Sequence, residues 1–404
     1  MKQLTFLIFC LLTCTSLTVR CQAVWESKSD SIRHAHQKDL IDVYHSIFKH
    51  SNLQRDFQGK FHNAPFPAAG YTLQTGFAAV LSDNLAFYTG NPATSKLSSF
   101  ATSFTYSQYN QTIIPILGSV WTKNGKFNFI TDWRYMKYPS TTFGLGGHTL
   151  YSDGYTIDFS YIKLHTSALI NVKGNLFAGL GYYYDQFWQI REVNPPPTGT
   201  SFEKYGLTYS ERASGPAIRV LYDSRRNSVN PDGGFFANII YRVNTVTFGS
   251  QNDWTSLQAD IRKYIRLSHD GRHLLALWSF DWLSLSGKTP YLLLPSTGWD
   301  DNFNTGRGYI QGRYRGAKMW YLEGEYRFPI SSNGLFGGVV FANAESFSKD
   351  FLEQIATSTY AIAPGYGVGV RIKLNKVSGA NICVDYGWGL GGSQGVAVNL
   401  GEVF

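Results

Sequence analysis

Turn signals at regular intervals constrain this chain more than any other feature. Asn91-Pro92, Asn124-Gly125, Lys173-Gly174, Pro231-Asp232-Gly233, Asp270-Gly271, Asn333-Gly334 and Val377-Ser378-Gly379 each sit beside strand-like runs. Gly, Asn, Asp and Pro are the residues that tight turns demand. Between successive tight turns lies a wider connection, at 107–111, 138–153, 190–203, 249–253, 287–316, 348–361 and 389–395. Short and long connections therefore alternate along the chain. A transmembrane barrel has this rhythm, with brief turns on one side of the membrane and longer loops on the other.

The breaks predict strands near 70–80, 84–90, 97–107, 111–122, 126–137, 155–170, 175–189, 204–224, 234–248, 254–268, 272–286, 317–330, 334–347, 362–375, 379–389 and 396–404. The expected fold is all-β, a 16-stranded antiparallel transmembrane β-barrel, and the even count places both barrel ends on the periplasmic side. Side chains alternate across a strand. In KFNFITDWRYMKY, Phe127, Phe129, Thr131, Trp133 and Tyr135 share one face, and Asn128, Ile130, Asp132 and Arg134 the other. In LLALWSFDWLSLSG, Trp278, Phe280 and Trp282 form the greasy face opposite Ser279 and Asp281. The 26 Tyr, 28 Phe, 10 Trp and 40 Gly are too many for a disordered chain and suit an aromatic-girdled barrel.

The opening stretch MKQLTFLIFCLLTCTSLTVRCQA has a lysine, a short apolar run and Ala23 as a cleavage site, the pattern of a secretory signal. The expected divisions are 1–23 signal peptide, 24–62 short periplasmic segment and 63–404 outer-membrane barrel, with a mature start at Val24. Cys10, Cys14 and Cys21 leave with the signal, so Cys383 stands alone and no internal disulfide forms. Within 24–62, DLIDVYHSIFKH places Leu40, Tyr44, Ile47 and Phe48 at helical spacing behind an Asp39 cap. This short amphipathic helix could plug the lumen, lie on the membrane's inner face or dock a partner, or the segment could be a plain linker. His34 and His36 lack a fixed third ligand, so no metal is expected, and no cofactor either.

Enzymatic signals are thin. Gly391-Gly392-Ser393-Gln394-Gly395 matches a hydrolase elbow formally, but that motif needs a strand-to-helix turn. The chain has no phosphate loop or dinucleotide fingerprint, and an enzyme is not expected. Without Lys2 and Arg20 the net charge falls from +8 to +6. That modest excess suits an anionic lipopolysaccharide leaflet better than nucleic acid.

The chain closes on GVAVNLGEVF, where Val396, Val398, Leu400 and Phe404 share a face. A last strand ending on Phe404 looks like the C-terminal insertion signal of outer-membrane barrels. Three further blocks resemble the barrel of the outer-membrane assembly-factor family, the BamA/TamA type also called bacterial surface antigens. One is LYDSRRNSVNPDGGFF, with Asp223, Arg225, Asn227, Pro231 and Gly234 at a strand end and turn. Another is Gly306-Arg307-Gly308-Tyr309, similar to that family's lid-loop motif. The third is EGEYRFPISSNGLFGGVVFANAESF, like the hairpin that follows the lid.

The resemblance implies an inward-folded lid loop whose Arg307 meets acidic residues on the next two strands. By motif position these are Glu325 and Asn343, with Asn343 standing where the family has Asp. Glu323, on the face of Glu325, could substitute, and an aspartate restored at position 343 should tighten the hold. The resemblance also implies an outer-membrane location and a role in protein insertion or translocation, through a seam between first and last strands. Partners would be outer-membrane lipid and lipopolysaccharide, periplasmic proteins and client barrel proteins. The 24–62 segment is too short for the periplasmic polypeptide-binding domains of full assembly factors. A passive channel or structural barrel without insertase activity therefore stays open as the alternative.

Overall fold

The computed structural model describes residues 37–404 except 41, 44–45, 47–60, 64–65, 92–94, 226, 270, 349–360 and 377–378. The signal peptide 1–23, Val24, His34, His36, Tyr44, Ile47, Phe48, Pro92, Asp270, Val377 and Ser378 lie outside the described residues.

Among the described residues, sixteen antiparallel strands form a nearly closed barrel. They are β1 (Phe61–Asn63 and Phe66–Thr72), β2 (Gly76–Tyr88), β3 (Leu97–Ser107), β4 (Thr112–Trp121), β5 (Phe127–Lys137, with the outlying Ser140–Thr142), β6 (Tyr155–Lys173), β7 (Leu176–Val193) and β8 (Ser210–Asp223). There follow β9 (Gly234–Asn244), β10 (Trp254–Arg266), β11 (Leu274–Gly287), β12 (Lys318–Pro329), β13 (Phe336–Ser348), β14 (Ala361–Lys373), β15 (Asn381–Trp388) and β16 (Gln394–Leu400). Each pairs antiparallel with the next, from Phe66↔Ser82 between β1 and β2 to Ile382↔Leu400 between β15 and β16. The β16–β1 junction is left as one unsealed seam.

Alternation sets the walls. On β5, Phe127, Phe129, Trp133 and Tyr135 are exposed on the outside, while Asn128, Arg134 and Met136 are buried inside. On β11 the aromatic face turns inward. Trp278 and Phe280 are buried in the lumen, packed with Tyr264 and Tyr321, and Leu277 and Leu285 are exposed outside. Period-two alternation is blind to which face turns inward, and a filled lumen buries aromatics as readily as a bilayer does.

Both ends of the strand series differ from expectation. The first hairpin turns at 73–75, where Thr75 N donates to Thr72 Oγ1 at 3.1 Å, so Ser82-Asp83-Asn84 continues β2 instead of breaking it. A polar tripeptide reads as a turn, yet here it keeps ladder pairing with β3. The last strand stops at Leu400, and Phe404 is buried in the lumen instead of sharing the exposed outer face of Leu400.

The described part of the N-terminal segment lies against the tight turns. Asp39 Oδ1 accepts from Asp42 N at 2.8 Å, an N-cap bond. Its other oxygen accepts from Lys376 N at 2.9 Å, Lys376 Nζ reaches Asp42 at 2.7 Å, and Lys38 N donates to Asn333 O at 2.9 Å. The segment thus bridges the turns after β12 and β14.

Candidate functional site

The connection between β11 and β12 descends into the barrel. Its root is a 3-10 turn, Tyr291–Leu293, whose Tyr291 and Leu292 amides donate to the Glu211 carboxylate at 3.1 and 3.2 Å. Tyr291, Leu292, Leu293 and Leu294 pack with Phe159, Phe187 and Phe202, an apolar plug at the long-loop end. Arg315 is buried there and donates to Tyr291 O at 3.0 Å.

Farther in, two clusters pin the loop to opposite walls. At Asp301 the backbone carbonyl accepts from Arg134 Nη2 at 2.6 Å, and the carboxylate pairs with Lys163 at 3.0 Å. Both partners belong to β5 and β6. Asp300 shapes the bend between the anchors by accepting from the amides of Asn304 at 2.9 Å and Thr305 at 2.7 Å. Burial pushes the Asp300 carboxyl above the usual carboxylate range, although hydrogen bonds from Thr305 and Asn302 pull the other way.

The second anchor is Arg307 on the β12–β15 wall. Its Nη2 donates to Glu325 at 2.6 Å and also to Glu323, and its Nη1 donates to Asp385 at 3.0 Å. The guanidinium carbon stands 3.7 Å from the Phe341 ring centroid. Arg327 Nε donates to Glu325 at 2.6 Å and Arg371 Nη1 to Asp385 at 2.5 Å. Three arginines, Arg307, Arg327 and Arg371, thus stand among four carboxylates, Glu323, Glu325, Asp385 and Glu402, and this mutual pairing in a buried network is what lets charge persist there.

Asn343 does not face the guanidinium. Its Nδ2 donates to the Arg307 backbone carbonyl at 3.0 Å. Glu345 binds Thr297 Oγ1 at 2.9 Å, earlier in the loop. Tyr309 is buried, donates to Pro364 O at 2.5 Å and accepts from Leu390 N at 2.9 Å. Gly306 and Gly308 have φ of +76° and +102°. The loop lies so close to β15 that a Cβ on Gly387 would stand 2.7 Å from the Gly308 nitrogen.

The strand-turn block sits at the opposite end. Arg225 forms a two-pronged pair with Asp223 at 3.0 and 2.9 Å, and its guanidinium carbon stands 4.2 Å from the Phe236 centroid. Asn227 Oδ1 accepts from Val229 N and Asn230 N, Pro231 O accepts from Arg327, and Gly234 has φ +103°. Asp385, Arg327, Arg371, Asp301 and Lys163 were missed from the sequence. For Asp385 the available signal was an isolated charge at an inward position of an otherwise apolar strand, NICVDYGW.

These features define a barrel with a polar, loop-filled lumen and one open strand junction. The chain belongs to the Omp85 superfamily, whose domain model matches residues 124–401. No curated protein matches significantly. Among solved structures, the barrel resembles BamA from Haemophilus ducreyi lacking POTRA domains 1–3, with TM-score 0.57, 15% identity and coverage of 85% of this chain and 70% of that one. CdiB from Acinetobacter baumannii superposes with TM-score 0.52 at 13% identity, over 85% of this chain and 60% of that one. CdiB from Escherichia coli does so with TM-score 0.52 at 12% identity, over 84% and 62%. The chain thus spans about three fifths of each CdiB chain. The family and fold imply an outer-membrane protein.

Proposed function

We propose that this protein is an outer-membrane barrel of assembly-factor type, which inserts or translocates client polypeptides by way of the β16–β1 seam. The observation that carries the reading is the unsealed seam beside a lumen crossed by a loop held on both walls. A passive channel needs an open axial path, and the plug around Tyr291 and Phe202 stands in it. In this reading residues 1–23 direct export, residues 24–62 lie at the periplasmic face and 63–404 form the barrel. The block from Asp223 to Gly234 shapes a periplasmic turn, and Phe404 serves in the protein's own insertion.

The test uses liposomes carrying the protein and a urea-unfolded client barrel, with client folding read by its heat-modifiable gel shift. Cysteines at Gly70 and Ala397, lumen-side positions on strands flanking the seam, would lock it when oxidised. Client folding should be faster than in empty liposomes, slow on oxidation and recover on reduction. Equal rates in all vesicles would sink the proposal.

A further inference from the structure

Gly401 redirects the chain. Its φ is +86°, a left-handed conformation suited to glycine, and beyond it Glu402, Val403 and Phe404 enter the lumen. They meet a receiving site with a partner for each. The Glu402 carboxylate accepts from Asn381 Nδ2 at 2.5 Å and Arg371 Nε at 2.8 Å, with Arg327 Nε at 3.7 Å. The Phe404 ring stacks on Trp278 at 5.1 Å and leans on Tyr264 at 6.4 Å. The Phe404 carbonyl accepts from Arg327 Nη2 at 2.9 Å. The Val403 carbonyl accepts from Asn304 Nδ2, a residue of the lumenal loop, at 2.8 Å.

We propose that the lumen carries a binding site for an acidic–aliphatic–aromatic peptide segment, filled in cis by Glu402-Val403-Phe404, and that its occupation ties β16 to the lumenal loop. Two connections make the tie. Asn304 joins the segment to the loop directly. Arg327 and Arg371 bind Glu402 on one side and, on the other, Glu325 and Asp385, the carboxylates that hold Arg307. Emptying the site leaves both arginines without one carboxylate and the loop without its Val403 contact, so the loop loosens with the segment.

The segment has a second place to go. Extended beyond Leu400, it would run beside the first half of β1, whose seam side has no ladder partner among the described residues. Occupation of the lumenal site therefore also keeps β16 short, at seven residues against thirteen in β2.

The experiment deletes Gly401–Phe404 and follows amide exchange of residues 305–309 in detergent-solubilised protein. Deletion should speed exchange there by about tenfold, the loss of one local contact set. Adding the free peptide Gly-Glu-Val-Phe should slow it again, whereas Gly-Gln-Val-Ala should not. Exchange unchanged by deletion, or an equal response to both peptides or to neither, overturns the proposal. If the shortened chain does not fold, the full chain carrying Glu402→Gln and Phe404→Ala takes its place. Faster exchange at 305–309 then supports the tie, and unchanged exchange refutes it.

Discussion

At Asn343 a change of one atom reverses an expectation. Counting charges, an aspartate there should strengthen the hold on Arg307. In the structure the side-chain nitrogen of Asn343 donates to the Arg307 carbonyl at 3.0 Å. Aspartate would place an acceptor against an acceptor, beside a network already holding four carboxylates. Asn343→Asp is therefore expected to destabilise the barrel by about 1–2 kcal/mol, the cost of a broken buried hydrogen bond. Urea unfolding in detergent, followed by the heat-modifiable gel shift, checks this, and a raised midpoint would contradict the donor role. Arg307→Ala strips three buried carboxylates of one partner, although Arg327 and Arg371 remain for two of them. A loss of about 3 kcal/mol is expected in the same assay, at the low end for a broken buried pair because of that residual compensation.

Elements matter through the surfaces they offer the loop. β15 presents Gly387 flat against Gly308, and β14 presents Gly365, where a Cβ would stand 2.6 Å from Asn343 Oδ1 and 2.9 Å from the Arg307 carbonyl. A β-strand accepts alanine readily, so Gly387→Ala should leave β15 intact and push the loop away. The expected cost is about 1–3 kcal/mol, typical of overpacking. Amide exchange should quicken at 305–309 and stay unchanged across the β14–β15 ladder; quickening in the ladder itself would show that the glycine serves the strand. β11 makes the same point in apolar terms, since its inward Trp278 and Phe280 floor the chamber that receives Tyr309, Tyr314 and Phe404.

For the whole molecule, the loop acts as a strut. Asp301 is fastened to β5 and β6, and Arg307 to β12 and β15, about half the circumference away. Asp301→Ala removes the Lys163 pair and leaves only the backbone bond to Arg134 at that end, and the Arg307 end stays in place, so changes at the two ends should reinforce each other. Single-channel recordings should show small conductance for wild type, modest increases for Asp301→Ala or Arg307→Ala, and an increase for the double variant exceeding their sum. Strict additivity would mean that the two anchors act independently.

Strand number and the alternation of short and long connections were legible in the sequence, because each is local. Turns need particular residues, and alternation repeats every second position. The pairing of Arg307 with Glu325 followed from a motif resemblance, since both lie on consecutive elements. Asp385 and Arg371 did not follow, because they reach Arg307 and Glu325 across neighbouring strands of one wall, where register and not sequence separation decides which inward side chains meet. Nor could alternation say that the aromatic face of β11 turns inward, or that a chain reading as strand to Phe404 leaves the wall at Gly401. Those outcomes depend on what fills the lumen. The loop, the aromatic floor and the 401–404 segment bury one another there, and only tertiary structure decides which surfaces meet.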